Sequence, residues 1–481
     1  MHIRRVMFTV GLVLCGLATA MVIPALTDAV DGSTDWLAFF AGFVTTAFVG
    51  GLMIFTCFEH GPSAPVGIRE GFVLTALSWV AVAAFSALPF LGLGLGYADA
   101  FFEAMSGLTT TGATVLVGLD RLPRGILLWR ALLQGLGGLG IVVTAILMLP
   151  FLKIGGMQLF QTESSDRSEK ILPRAAQLFS ATAIIYVVLI VACTVIYVVL
   201  GMTVFDAICH SLSTLSTGGF STHDASFAFF KSASLEWAAI VFMLLGALPF
   251  VVLIKAAFGQ PASLYHDTQV RGFLAFIATV SIIMALWLVL VREVGLADAL
   301  RQSTFSVVSI VTTTGFTADD YTLWGSFSVA AFFYLTFVGG CAGSTAGGMK
   351  IYRFQVAGQL TRRYLQQLIR PNQVVPLSYN GRRLKDDVPF SIIAFMAVYM
   401  LTIGAFTVML AAVGLDLITA ISSAATAVSN VGPGLGDTVG PSGNFARLPE
   451  SAKWILSLAM LLGRLELFTL LVLFQPEFWR H

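Results

Sequence analysis

Long apolar stretches separated by short polar segments run along nearly the whole chain. At about 20 residues per membrane-crossing helix, the pattern predicts ten spans, near 6–27, 36–58, 71–95, 126–151, 178–201, 234–258, 270–293, 325–350, 388–413 and 452–475. After the first two, the spans alternate with shorter segments that end in a Thr/Gly phrase: TTTGAT from Thr109, STGGFS from Ser216, TTTGFT from Thr312 and SNVGPG from Ser429. Their glycines, taken as Gly112, Gly218, Gly315 and Gly432, are 106, 97 and 117 residues apart, the spacing of a duplicated unit. The expected fold is an all-α polytopic membrane protein. Two additional helices (1–70) precede pore units at 71–152, 153–258 and 259–350, a basic linker (351–387) and a fourth unit (388–481). Each unit reads as helix, short pore helix, phrase and second helix, so all four share one orientation and can surround a pseudo-fourfold pore.

Composition agrees: 57% of residues are hydrophobic and 11% charged, which excludes an ordinary soluble domain. Net charge is +1, so the total says nothing about nucleic acid or acidic substrates; the apolar spans make membrane lipid the expected surroundings, and no nucleic-acid partner is expected. The five cysteines show no paired spacing and read as packing residues. Loop charge sets the orientation. Residues 350–387 carry Lys350, Arg353, Arg362, Arg363, Arg370, Arg382, Arg383 and Lys385 against Asp386 and Asp387, which places this segment and both termini in the cytoplasm. The phrases then enter from outside. Trp129, Trp237, Trp324 and Trp454, each near the start of a unit's second helix, are expected in an interfacial belt.

Backbone carbonyls on a glycine-permitted path can replace the water around a cation. Candidate filter residues are Thr110, Thr111, Gly112, Ser216, Thr217, Gly218, Thr313, Thr314, Gly315, Asn430, Val431 and Gly432. Asp99, Asp206, Asp298 and Asp416 precede the phrases and are expected to cap the pore helices, whose far ends turn partial negative charge toward the ion. A second motif, GGCAGSTAGGMK, places Gly339, Gly340, Gly343, Ser344, Thr345, Gly347, Gly348 and Lys350 within the third unit's second helix. Irregular backbone at membrane depth survives where it lines a cavity or is buried in protein, so segment 339–348 is a candidate gate; the alternative is a small-residue packing seam. Arg464, mid-way along the last span, costs at least about 2.5 kcal/mol there and is expected to face the pore, or else to form a structural ion pair. Glu466, two residues on, lies on another helix face. GLGGLG at 135–140 lacks the strand a dinucleotide fingerprint needs, and no catalytic set can be assembled.

The four phrases, GGCAGSTAGGMK, WRALLQGLGGLGI at 129–141 and LLGRLELF at 461–468 resemble the TrkH/TrkG members of the Trk/Ktr/HKT superfamily of potassium transporters. The resemblance covers the whole chain, and the two extra helices favour the TrkH type. It implies a K+-translocating homodimer with a pore in each protomer. It also implies a cytosolic TrkA-like regulator that binds NAD(H) or ATP, with no cofactor on this chain. In plant relatives a serine at the first filter glycine goes with sodium preference; Gly112 fits potassium. The expected function is potassium uptake, not enzymatic. The rivals are an H+- or Na+-coupled symporter, for which Glu103 and Glu466 are the nearest carboxylates, and an intramembrane enzyme.

Overall fold

The structure, a computed structural model, describes residues 2–58, 67–148, 171–384 and 387–480. The expected unit boundary at 152, Lys385 and Asp386 lie outside the described residues. Among those described the regular secondary structure is helical, apart from a hairpin pairing Ser378–Tyr379 with Arg382–Arg383.

Helices α1 (Ile3–Val30) and α2 (Trp36–Cys57) pack along each other. They approach tightly at Gly11 and Gly50: a Cβ on Gly50 would lie 2.9 Å from the Gly11 carbonyl oxygen. The element order then runs four times through a long helix, a short helix, a phrase and a second helix. First come α3 (Ile68–Ser86), α4 (Tyr97–Leu108) and α5 (Arg124–Met148). Next are α6 (Ile171–Val199), α7 (Val204–Leu215), α8 (Ala233–Ala247) and α9 (Phe250–Ala257). The third set is α10 (Thr268–Arg292), α11 (Leu296–Val311) and α12 (Ser326–Leu335). After α13 (Ile351–Ile369) and the hairpin, the fourth comprises α14 (Asp387–Ala412), α15 (Leu417–Ser429) and α16 (Glu450–Arg464).

Three expected spans are not continuous helices. Seven described helices are long and apolar enough to cross a membrane, or nine when two bent pairs are included. One pair is α8 with α9, bent by 104° where Pro249, which has no N–H, starts the second piece. The other is α16 with Phe468–Phe474, bent by 105° where Glu466 and Leu467 take positive φ of 56° and 36°. The third is 325–350: α12 stops after ten residues and irregular backbone follows.

The short helices α4, α7, α11 and α15 are buried along most of their length and each ends at a phrase. Their starts differ from the expected aspartate caps. Asp416 does cap α15, accepting the Thr419 N–H at 3.1 Å. Asp99, Asp206 and Asp298 stand instead in the first turn, where a carboxylate still favours the helix dipole. Thr203 caps α7. The tryptophans divide as well. Trp237 and Trp454 are exposed, whereas Trp129 is fully buried, donating to the Ser86 carbonyl at 3.0 Å, and Trp324 is buried too.

Candidate functional site

Each phrase begins where a short helix ends, so its backbone is free to leave helical geometry. Thr110, Thr217, Thr313 and Asn430 take left-handed φ of 51°, 52°, 60° and 55°. Two residues later Gly112, Gly219, Gly315 and Gly432 have φ of 85°, 75°, 80° and 101°. The second matching glycine is therefore Gly219, and the expectation of Gly218 is corrected by one position. Ser216 correspondingly matches Thr109, and Gly218 matches Thr111, Thr314 and Val431.

The reason for glycine is steric as well as conformational. A Cβ on Gly112 would lie 2.2 Å from the Gly218 oxygen, on Gly219 1.9 Å from Thr314 O, on Gly315 2.1 Å from Val431 O, and on Gly432 2.7 Å from Thr111 O. The contacts run from first phrase to second, third, fourth and back to first. These four glycines also line one cavity of about 80 Å³.

Behind the phrases lies a dense polar frame. Arg130, on α5, donates to Glu103 at 2.8 Å and to the Ser221 carbonyl at 2.7 Å, and stacks 4.1 Å from the Phe220 ring centre. Glu103 also accepts from Thr114 and from the Val115 N–H. His210 is buried, with Nδ1 donating to the Asp206 carbonyl and Nε2 2.9 Å from the Ser221 hydroxyl. Asn430 Nδ2 donates to Thr111 Oγ1 at 3.0 Å and to Met460 O at 2.9 Å.

Segment 339–350 packs against the ends of α7 and α15 and against the third phrase. Gly339, Gly343, Gly348 and Lys350 have positive φ, so the segment is looped rather than helical. The Thr345 hydroxyl lies 2.9 Å from both Leu215 O, at the end of α7, and Gly246 O. Gly347 N–H donates to Thr313 Oγ1 at 2.7 Å, and Gly348 N–H to Ser429 O, at the end of α15, at 2.9 Å. Cys341 N–H reaches Ala247 O, Phe250 N–H reaches Gly343 O, and Ile351 N–H reaches Gly340 O. The bend between α8 and α9 thus has its free backbone groups met by this segment. Ser344 closes a local turn onto Cys341 O.

Arg464 ends α16 and is 3% exposed, and none of its three nitrogens has a hydrogen-bond partner among the described residues. Glu466 pairs not with it but with Arg353, at 2.9 Å; Arg353 also donates to Met349 O and covers the Phe395 ring at 3.6 Å. Lys350 donates to Ala346 O.

A family model described as "TrkH: Cation transport protein" matches residues 36–481. The chain belongs to the TrkH family. Within it, the Trk system potassium uptake protein TrkI of Halomonas elongata is 46% identical over 97% of this chain and 94% of its own. TrkH of Escherichia coli K12 is 37% identical with both chains fully covered. The crystal structure of the potassium transporter TrkH from Vibrio parahaemolyticus superposes with a TM-score of 0.91 at 36% identity, again over the whole of both chains. TrkH proteins are transporters, and this multi-pass membrane protein is not an enzyme.

Sequence reasoning missed Gly219, Arg130, Gln134, which donates to the Gly218 carbonyl, and the pairing of His223 with Asp120. Arg130 and Gln134 carried a signal, as polar side chains within an otherwise apolar span.

Proposed function

We propose that this protein carries potassium into the bacterial cell across the inner membrane, through a pseudo-fourfold filter formed by the four phrases. The observation that carries the reading is the closed cycle in which each glycine abuts the carbonyl of the next phrase. Carbonyls fixed this way, at the negative ends of four helices, suit a dehydrated monovalent cation. The inside-negative potential drives entry by about 2.3 kcal/mol per charge per 100 mV.

Segment 339–348 is the gate, held shut beneath the filter, and Arg464 is the positive barrier beside it. A cytosolic TrkA-like regulator that binds NAD(H) or ATP docks on the cytoplasmic side of a homodimer whose termini are both cytoplasmic. The relatives' names, all Trk system potassium uptake proteins, support the ion and the association with other Trk components. Proton or sodium coupling is disfavoured because its two candidate carboxylates, Glu103 and Glu466, are held by Arg130 and Arg353.

The test is Gly112→Ser in reconstituted vesicles. A reversal potential under biionic K+/Na+ conditions that moves toward sodium is expected; an unchanged value in folded protein removes this glycine from the filter.

A further inference from the structure

Three phrases place a side chain before the glycine: Thr111, Thr314 and Val431. In the first and third, that threonine hydroxyl pairs with one two residues earlier, Thr109 with Thr111 at 2.8 Å and Thr312 with Thr314 at 2.7 Å. The second phrase has Gly218 there and cannot form the pair; the Ser216 hydroxyl turns to the Ser213 carbonyl at 3.1 Å instead.

The space is taken by Gln134, a fully buried residue of α5 in the preceding unit. A Cβ on Gly218 would lie 2.4 Å from Gln134 Cδ and 2.6 Å from each of its amide atoms. Nε2 donates to the Gly218 carbonyl at 2.6 Å, and Oε1 accepts the Phe220 N–H at 3.0 Å. Both peptide groups flanking Gly219 are therefore clamped by one side chain from a neighbouring unit. The Gly218 oxygen is also the one that Gly112 abuts.

We propose that Gln134 is a specificity-determining positioning residue of the filter. It stands in for the missing side chain and fixes where the Gly218 carbonyl points. It also engages one of that oxygen's two lone pairs, which weakens the field left for a cation. K+ is told from Na+ in such a ring by the size of the cage or by the field strength of its carbonyls, and a clamp on the Gly218 carbonyl acts on both. The proposal rests on the filter reading above.

The experiment measures the K+/Na+ permeability ratio for Gln134→Leu, Gln134→Glu and the double variant Gln134→Ala with Gly218→Thr, beside Gly112→Ser. Gln134→Leu removes both bonds at similar size and should lower the ratio about fivefold with K+ flux retained, the scale of one lost hydrogen bond, since only the bond to the Gly218 carbonyl is to an oxygen of the ring. Gln134→Glu keeps the shape and, at a pH high enough to ionise it, turns an acceptor toward the Gly218 carbonyl, so its loss should be larger there. The double variant should recover part of the ratio, because a threonine at 218 can pair with Ser216 as in the first and third phrases. If Gly112→Ser lowers the ratio while folded Gln134→Leu and Gln134→Glu leave it unchanged, the role of Gln134 is wrong and the filter stands. If Gly112→Ser changes nothing either, the filter reading falls and this one with it. Loss of folded protein in both single variants, unrescued in the double, makes Gln134 a packing residue and overturns the proposal.

Discussion

At Gly219 two constraints act on one residue: its φ of 75°, and a carbonyl 1.9 Å from where a Cβ would be. Left-handed backbone costs a side-chain-bearing residue about 1–2 kcal/mol, but the second obstacle is main chain and cannot rotate away. Gly219→Ala should therefore abolish selective flux, which uptake into vesicles containing purified protein would read; a variant with parental flux and selectivity would contradict the cycle of contacts. Arg464 is tested differently. If its buried charge, unpartnered among the described residues, is a barrier to cations, Arg464→Ala should raise basal K+ flux roughly tenfold or more and Arg464→Lys should keep it low, since confinement limits screening. Lysine behaving like alanine would point to a specific pairing of the planar guanidinium. Composition and spacing made the phrases and Arg464 legible in the sequence. The register of the second phrase was not, because Gly218 and Gly219 are adjacent and only backbone torsion separates them. Gln134 escaped for another reason: its partner lies 84 residues away, a distance no local pattern encodes.

At the scale of elements, segment 339–350 is held by hydrogen bonds to α7, α8 and α15 and to the third phrase, beside the buried side chains of Cys341, Ala346 and Met349. Such a segment can be released by removing donors. Thr345→Val deletes the hydroxyl shared by Leu215 O and Gly246 O, worth about 1 kcal/mol; basal flux without regulator should rise about fivefold. Deleting Gly343 to Gly347 should raise it further. A stable deletion variant no leakier than the parent would return the segment to a packing role. Helix positions were readable from apolar run length. Their continuity was not: Pro249 announces one bend, but Glu466 and Leu467 bend the last span without glycine or proline. The residues after α12 keep an apolar composition although their backbone is bonded elsewhere. Three of the four aspartates missed the cap position because the helix starts earlier, leaving them free for side-chain partners such as Lys453 and Arg301.

Across the whole molecule, polar contacts join one unit to the next. Lys453 of the fourth pairs with Asp99 of the first, Arg130 of the first reaches Ser221 of the second, and Glu236 of the second pairs with Arg301 of the third at 2.6 Å. His223 adds a pH-dependent link. It stacks on Phe229, bonds Asp120 in the first unit and faces Asp206 at 3.5 Å. Burial works against its charge, yet the bonds to Asp206 and Asp120 and their negative charges outweigh it and raise its pKa. The same histidine bond holds Asp120 low. A raised histidine stabilises the fold fully below the ordinary value of about 6.5 and loses that contribution as pH climbs through the higher folded value. The melting temperature of His223→Asn should thus fall furthest below the parent near pH 6, with the gap narrowing in alkali; a gap independent of pH would show that packing on Phe229 is all the ring supplies. The segment after α12 acts over the same distance. It belongs to the third unit, yet Thr345 and Gly348 place donors on Leu215 O and Ser429 O, the terminal carbonyls of helices in the second and fourth. In the proposed reading those oxygens are where a permeating ion would be drawn, so the closed protein holds a tethered imitation of its own cargo. Potassium and plug then compete for one set of oxygens, and rising external potassium would itself help to displace the plug.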